Sequence, residues 1–232
     1  PEQIEQVAKQ LCLAKRPMFV VGGGAQHASS EVLRLAEMLQ APVTFFRSGK
    51  GVIDERHYLS QSFPAGHRLW ADADVVLAIG TRLKYQQMYW GLDKNLKILR
   101  IDIDPTEINR ISTPELGIVA DARTALEALL PLVESFNIPR PSRREELNYL
   151  KTEFQEAFED KIAPQMGYLR VIREELPEDG FFVDEVTQVG FASWYAFPTY
   201  HPRHFISAGY QGTLGYGYAT ALGVQAAHPD KK

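Results

Sequence analysis

Ala73-Asp74-Val75-Val76-Leu77-Ala78-Ile79-Gly80-Thr81-Arg82 decides the fold. Val75 to Ile79 is apolar without interruption and rich in β-branched residues, so it does not alternate as a half-exposed strand would. A strand that is apolar on both faces belongs in a parallel sheet covered by helices on each side. Gly80 lets the chain turn sharply at its end. Arg82 places a cation at the strand's carboxyl end, where open α/β sheets bind their ligands.

The same grammar extends in both directions. Met18 to Val21 is a strand ending in Gly22-Gly23-Gly24, and Pro42 to Phe46 is the next. Ile98 to Ile103 is a further strand, running into Asp102-Ile103-Asp104-Pro105, and Gly117 to Ala120 is a fifth. Between them lie helical patterns. Ile4, Val7, Ala8 and Leu11 recur at helical spacing until Arg16-Pro17 breaks it. Ser30 is expected as the N-cap of a helix carrying Val32, Leu35, Ala36 and Leu39, and another helix runs from Ala122 to Val133. Residues 1–136 therefore read as one α/β domain with a parallel sheet.

Composition changes at residues 137–165. Pro139 and Pro141 with Arg140, Arg143 and Arg144 mark a linker, and a polar connecting helix follows from Glu145 to Lys161. Residues 166–232 carry helix (Leu169 to Leu176), strand (Phe181 to Asp184), helix (Gly190 to Phe197), strand (Arg203 to Ile206) and a last helix. Two strands cannot bury the faces of a wound sheet, so this second α/β unit is expected to be incomplete, truncated at Lys232.

Bulk properties narrow the classes. The 232 residues are 45% hydrophobic and carry a net charge of −4, which disfavours a nucleic-acid or anionic-membrane surface. Cys12 is alone, so neither a disulfide framework nor a cysteine zinc site is available within the chain. No apolar run is long enough for a transmembrane helix, and Pro1 opens no leader-like segment. The expectation is a soluble, cytoplasmic protein with a small-molecule partner.

Several stretches are candidate sites. Ser207 to Lys232, SAGYQGTLGYGYATALGVQAAHPDKK, concentrates Gly209, Gly212, Gly215, Gly217 and Gly223 where a loop enters a helix. Gly22 and Gly23 follow a strand as a dinucleotide loop does, but His27 breaks the GxGxxG spacing; phosphate binding and a tight strand-to-helix turn both remain open. Ser48-Gly49-Lys50-Gly51 resembles a phosphate loop only superficially, since Thr44 and Gly51 occupy its required Gly and Ser/Thr positions. Asp102 and Asp104 suit either a ribose or a helix N-cap at Thr106. His201 and His204 lack a neighbouring carboxylate or cysteine cluster, and no metal ligand set stands out. Phe191, Trp194, Tyr195, Phe197 and Tyr200 suit a packed interface or a pocket wall.

The order of these pieces resembles the thiamine diphosphate (ThDP) enzymes of the acetolactate synthase, pyruvate oxidase and benzoylformate decarboxylase type. The resemblance rests on Arg16-Pro17 leading to Gly22-Gly23-Gly24-Ala25, on Gln40-Ala41-Pro42-Val43, and on Ser48-Gly49-Lys50-Gly51. It continues through Ala73 to Arg82, Ile101 to Ile108, Val119 to Ala122, Gly212 to Gly217 and His228 to Lys231. It implies a Rossmann-like middle domain followed by the first part of the ThDP-binding domain. It also implies that a glutamate-bearing domain and the metal-binding GDG motif lie outside the chain, leaving residues 1–232 inactive alone.

Position by position, the resemblance makes Leu214 the apolar wedge beneath the cofactor. It makes Gly212 the residue whose backbone carbonyl accepts a hydrogen bond from the cofactor's amino group, and sets Val186 and Gln188 near the diphosphate. Thr187 stands where the family has glycine. Gly22, Gly23, Arg82, Asp102, Asp104 and Asp121 become candidates for a nucleotide, FAD or ADP, although Ser60 to Trp70 is shorter than in flavin-binding members. The implied activity is ThDP- and magnesium-dependent decarboxylation or carboligation of 2-oxo acids by a homodimer or homotetramer. Two other readings are a non-catalytic FAD- or ADP-binding module and a sirtuin-like NAD deacylase. The lone Cys12 argues against the deacylase.

Overall fold

The structure, a computed structural model, describes residues 2–93, 95–209 and 211–232. The larger sheet is built from β1 (Pro17–Val21), β2 (Val43–Phe45), β3 (Ser60–Gln61), β4 (Val75–Ile79), β5 (Lys97–Asp102) and β6 (Leu116–Val119). Its order is β3-β2-β1-β4-β5-β6, parallel throughout. β1 and β4 lie side by side at the centre, registered from Pro17↔Val75 to Val21↔Ile79, and every residue of both is buried. The uninterrupted apolar runs are thus explained by helices covering both faces.

Helices α1 (Glu2–Leu13), α2 (Ser29–Leu39) and α5 (Ala122–Phe136) pack together, while α3 (Phe63–Trp70) packs on β2 and supports α6 (Arg144–Lys161). The short α4 (Pro105–Ile108) follows β5. Val7, Ala8 and Leu11 of α1 and Val32, Leu35, Ala36 and Leu39 of α2 are fully buried, as their helical spacing predicts.

Two details differ from the sequence reading. Ser30 does not cap α2: the helix begins at Ser29, because the Ala28 carbonyl already accepts the Val32 N–H at 2.9 Å. The sheet has a sixth strand, β3, which pairs with β2 through Val43↔Ser60 and Thr44↔Gln61.

The rest of the chain holds α7 (Ala163–Glu175), β7 (Phe182–Val183), α8 (Gln188–Ala196), β8 (Phe205–Ile206) and α9 (Tyr216–Ala227). α7 runs across position 165/166, where the composition suggests a boundary. β7 and β8 pair in parallel. A small apolar cluster of Met166, Leu169, Ala192, Phe197 and Phe205 lies between these elements.

The seam between the two cores is specific. Phe46 meets Trp194 edge-on at 5.5 Å, and the Arg47 guanidinium lies 4.4 Å from the Trp194 ring centroid. The Glu55 N–H donates to the Thr199 carbonyl at 3.1 Å. The Arg203 N–H donates to Gln26 Oε1 at 2.8 Å.

Candidate functional site

The sheet order reverses between β1 and β4, and in open α/β sheets the crevice at such a point is the ligand position. Here the two strand ends touch. A Cβ at Gly22 would run into the Gly80 carbonyl oxygen, and one at Gly24 would lie 2.8 Å from the Gly80 Cα. Gly80 itself has φ of +55°, a left-handed conformation that favours glycine. The glycines therefore serve the close turn, and they also border a cavity of about 660 Å³ with Gly23, Arg82 and Tyr85. A neighbouring cavity of about 320 Å³ is bordered by His27, Arg82, Asp102, Asp104, Glu107 and Asp121. The six nucleotide candidates are thus divided between two adjoining cavities that share Gly24, Gly80 and Arg82.

Their carboxylates already have work. Asp104 caps α4, accepting the Thr106 N–H at 2.8 Å, so the capping alternative is realised. Asp102 accepts the Asp104 N–H at 3.1 Å. Asp121 caps α5 through the Thr124 N–H and meets His27 Nε2 at 2.7 Å. Arg82 lies 3.4 Å from Glu107.

The Ser48-Gly49-Lys50-Gly51 turn is not a phosphate cradle. Lys50 is fully buried and paired with Glu55 at 2.9 Å, with its charge directed into the seam. The Gln26 side-chain amide donates to the Ser48 and Lys50 carbonyls, which fixes the turn against the rest of the domain.

The second candidate site lies at the carboxyl end of β7. Gly212 and Val186 are neighbours: among the described residues, a Cβ at Gly212 would touch the Val186 Cγ2 alone, at 3.6 Å. Leu214 stands on the same loop with 78% of its surface exposed, and Tyr218 and Leu222 of α9 are exposed beside it in sequence. Gln188 lies at the start of α8, where its Oε1 accepts from Gln165 Nε2 at 2.8 Å. Thr187, in place of glycine, caps α8 by accepting the Gly190 N–H at 2.9 Å.

Two acidic residues that the sequence reading passed over organise this loop. Glu185 accepts the Val186 N–H at 2.7 Å with one oxygen and the Gly217 N–H at 2.8 Å with the other. Those bonds, with a further one from Gly215, hold its carboxyl below the usual range. Glu185 thereby ties the N-terminus of α9, and the loop bearing Leu214, to the end of β7. Asp184 is buried and accepts from Trp194 Nε1 at 2.6 Å and Ser207 Oγ at 2.7 Å. An acidic pair directly after a strand and before Val186 was the available signal.

His204 stacks on Phe181 at 4.4 Å, with Nδ1 3.1 Å from the Gly180 carbonyl. Among the described residues no group of three or more His, Cys, Asp or Glu side chains is placed to hold a metal.

Comparison with known proteins decides the family. Residues 4–129 match the family model of the thiamine pyrophosphate enzyme central domain. The chain belongs to the thiamine pyrophosphate enzymes. Residues 185–232 match the C-terminal TPP binding domain of that family, which contains the Glu185–Leu214 site. Similar members include the probable 2-ketoarginine decarboxylase AruI of Pseudomonas aeruginosa, 31% identical over 99% of this chain. The acetolactate synthase isozyme 1 large subunit of Escherichia coli is 29% identical over 100% of the chain. A probable acetolactate synthase large subunit of Methanocaldococcus jannaschii is 33% identical over 99%. The chain spans about 42% of the length of each of these thiamine pyrophosphate enzymes. Neither a stand-alone nucleotide-binding module nor an NAD deacylase draws support from these matches. No described helix is long and apolar enough to cross a membrane.

Proposed function

We propose that this chain supplies the Gly212–Leu214 wall of a thiamine diphosphate site in an enzyme that decarboxylates or carboligates 2-oxo acids. The observation that carries the reading is the pairing of an open Gly212 with an exposed Leu214, on a loop that Glu185 pins within the span matching the TPP binding domain. The residues fit the ring end of such a cofactor. Gly212 leaves room above Val186, and Leu214 offers a large apolar side chain with no cover of its own.

When bound, thiamine diphosphate would supply an electron sink for negative charge that develops at the substrate's former carbonyl carbon. The chain's residues orient and shield. Leu214 would fill the space beneath the cofactor rings, excluding water and restricting their relative orientation; fixed geometry of that kind is worth roughly 7–11 kcal/mol in well-oriented systems. Gly212 would offer its carbonyl oxygen as an acceptor for an amino group. Val186 would pack beside both.

Magnesium belongs to the same proposal, with ligands elsewhere in the protein, as does assembly into a homodimer or homotetramer. Cytoplasmic residence is likewise a proposal, checked by cell fractionation. The test of the site is Leu214→Ala in the protein with all of its domains. Turnover of a 2-oxo acid should fall by about tenfold or more, which is 1.4 kcal/mol or more of barrier, while ThDP affinity changes less. Unchanged turnover would remove Leu214 from the site.

A second reading concerns the β1–β4 crevice, where the glycine turn and Arg82 favour a nucleotide, FAD or ADP. Co-purification or saturable binding of either by residues 1–232 would support it. Absence of binding would assign the crevice to packing.

A further inference from the structure

A third cavity, of about 360 Å³, shares no lining residue with the crevice or the glycine loop. It lies between α6, α7, the end of α8 and the β2–β3 edge of the large sheet, and its volume suits a small ligand. Phe45, Phe154, Phe158, Met166, Leu169 and Tyr195 supply an apolar wall.

The polar lining is unfinished in a particular way. Ser60 is 1% exposed, and among the described residues its Oγ has no hydrogen-bond partner. Ser62 holds the N-cap position of α3, yet its buried hydroxyl makes no bond to the helix and has no other partner among the described residues. Buried hydroxyls are ordinarily satisfied, so two in one cavity wall call for an explanation.

Among the described residues, two lining cations bond to carbonyls and to no carboxylate. Lys151 Nζ donates to the carbonyls of Glu55 and His57, at 2.6 and 2.8 Å. Arg173 donates to the carbonyls of Pro198, Leu176 and Pro177. Of the acids that border it, Glu55 pairs with Lys50 and Glu159 with Arg170, and Glu174 stands at the same wall. Burial outweighs the attraction of Glu55 and Asp54 and brings the Lys151 ammonium down to about 8. Lys151, Arg173 and two unpartnered hydroxyls therefore border an apolar chamber.

We propose that this cavity binds a small carboxylic acid carrying an aromatic or branched apolar body. The carboxylate takes the Ser60 and Ser62 hydroxyls and faces Lys151, and the apolar body lies against the phenylalanines. The inference does not depend on the thiamine reading, because the residues are separate and the test uses no cofactor.

The test is calorimetric titration of the 232-residue chain with phenylacetate, with phenylacetamide and acetate as comparisons. Phenylacetate should bind saturably at one site. Removing the charge, as in phenylacetamide, or the ring, as in acetate, should weaken binding by about tenfold or more. Lys151→Met and Ser62→Ala should each weaken phenylacetate binding, and Leu169→Trp should abolish it by filling the chamber. Met166→Trp fills the same wall and stands in if Leu169→Trp does not fold, with circular dichroism and unfolding temperature verifying each variant. Absence of saturable binding, equal affinity for the acid and the amide, or full binding by a folded filled variant would overturn the proposal.

Discussion

At the scale of single residues, the two glycines after β1 separate packing from ligand contact. A methyl group at Gly22 meets backbone of the neighbouring strand end, which cannot move without moving β4. Gly22→Ala is expected to cost about 1–3 kcal/mol or more, as overpacking does. At Gly23 the nearest atom would be the Ser48 Cβ at 3.5 Å, an ordinary contact. Gly23→Ala should leave the denaturation midpoint nearly unchanged, and chemical unfolding of the pair reads the difference. Glu185 makes a second residue-scale prediction. Its folded pKa is lowered, so the ties it makes are present above the ordinary glutamate range and lost as pH falls below it. Glu185→Gln should speed amide exchange at Gly215 and Gly217 at neutral pH, and the difference from the parent should shrink in acid. Unchanged exchange would show that the α9 terminus is held by something else.

At the scale of elements, α6 is fastened to the turn before β1 by Glu146, which accepts from Arg143 and from Arg16. Arg143 and then Arg16 hold that carboxyl down at about 2. Its contribution is therefore complete above the ordinary glutamate pKa of 4.5 and is lost as pH falls from there towards 2. The group is substantially exposed, so Glu146→Gln should cost only about 0.2–1 kcal/mol at neutral pH. The difference should vanish in strong acid, as paired urea titrations would show. Elements whose identity is carried by their own side chains are legible in the sequence: the all-apolar β1 and β4 and the helical faces of α1 and α2. β3 is not, because Ser60 and Gln61 are polar and become a strand only through pairing with β2. The start of α2 was misplaced because a backbone carbonyl at Ala28, which has no side-chain signature, takes the role offered to Ser30. At the candidate site, Gly212, Leu214 and Val186 came from resemblance; Gly212 lies beside Val186, and Leu214 follows on the same loop. Glu185 and Asp184 act through the Gly217 N–H, the Trp194 ring N–H and the Ser207 hydroxyl, which only the fold brings near.

At the scale of the whole molecule, the buried Lys50–Glu55 pair sits in the seam, where Lys50 also lies 5.3 Å from the Phe205 ring centroid. Burial lowers the Lys50 pKa and raises that of Glu55, with each partner opposing the shift of the other. Lys50→Met strands a buried carboxylate and should cost about 3–5 kcal/mol, whereas Lys50→Met with Glu55→Gln should recover much of it. Thermal unfolding of the single and double variants checks this; equal losses would show that the pair is not coupled. The same seam sets the large sheet against α8 and the segment before β8, through Phe46, Arg47 and Gln26. The most direct measurement is calorimetric titration of thiamine diphosphate, with and without magnesium, into the protein with all of its domains, followed by 2-oxo acid turnover for the parent and Leu214→Ala. The account predicts magnesium-dependent cofactor binding in both proteins, with turnover reduced by about tenfold or more in the variant. No affinity for thiamine diphosphate in the parent, or equal turnover by the two proteins, would contradict it.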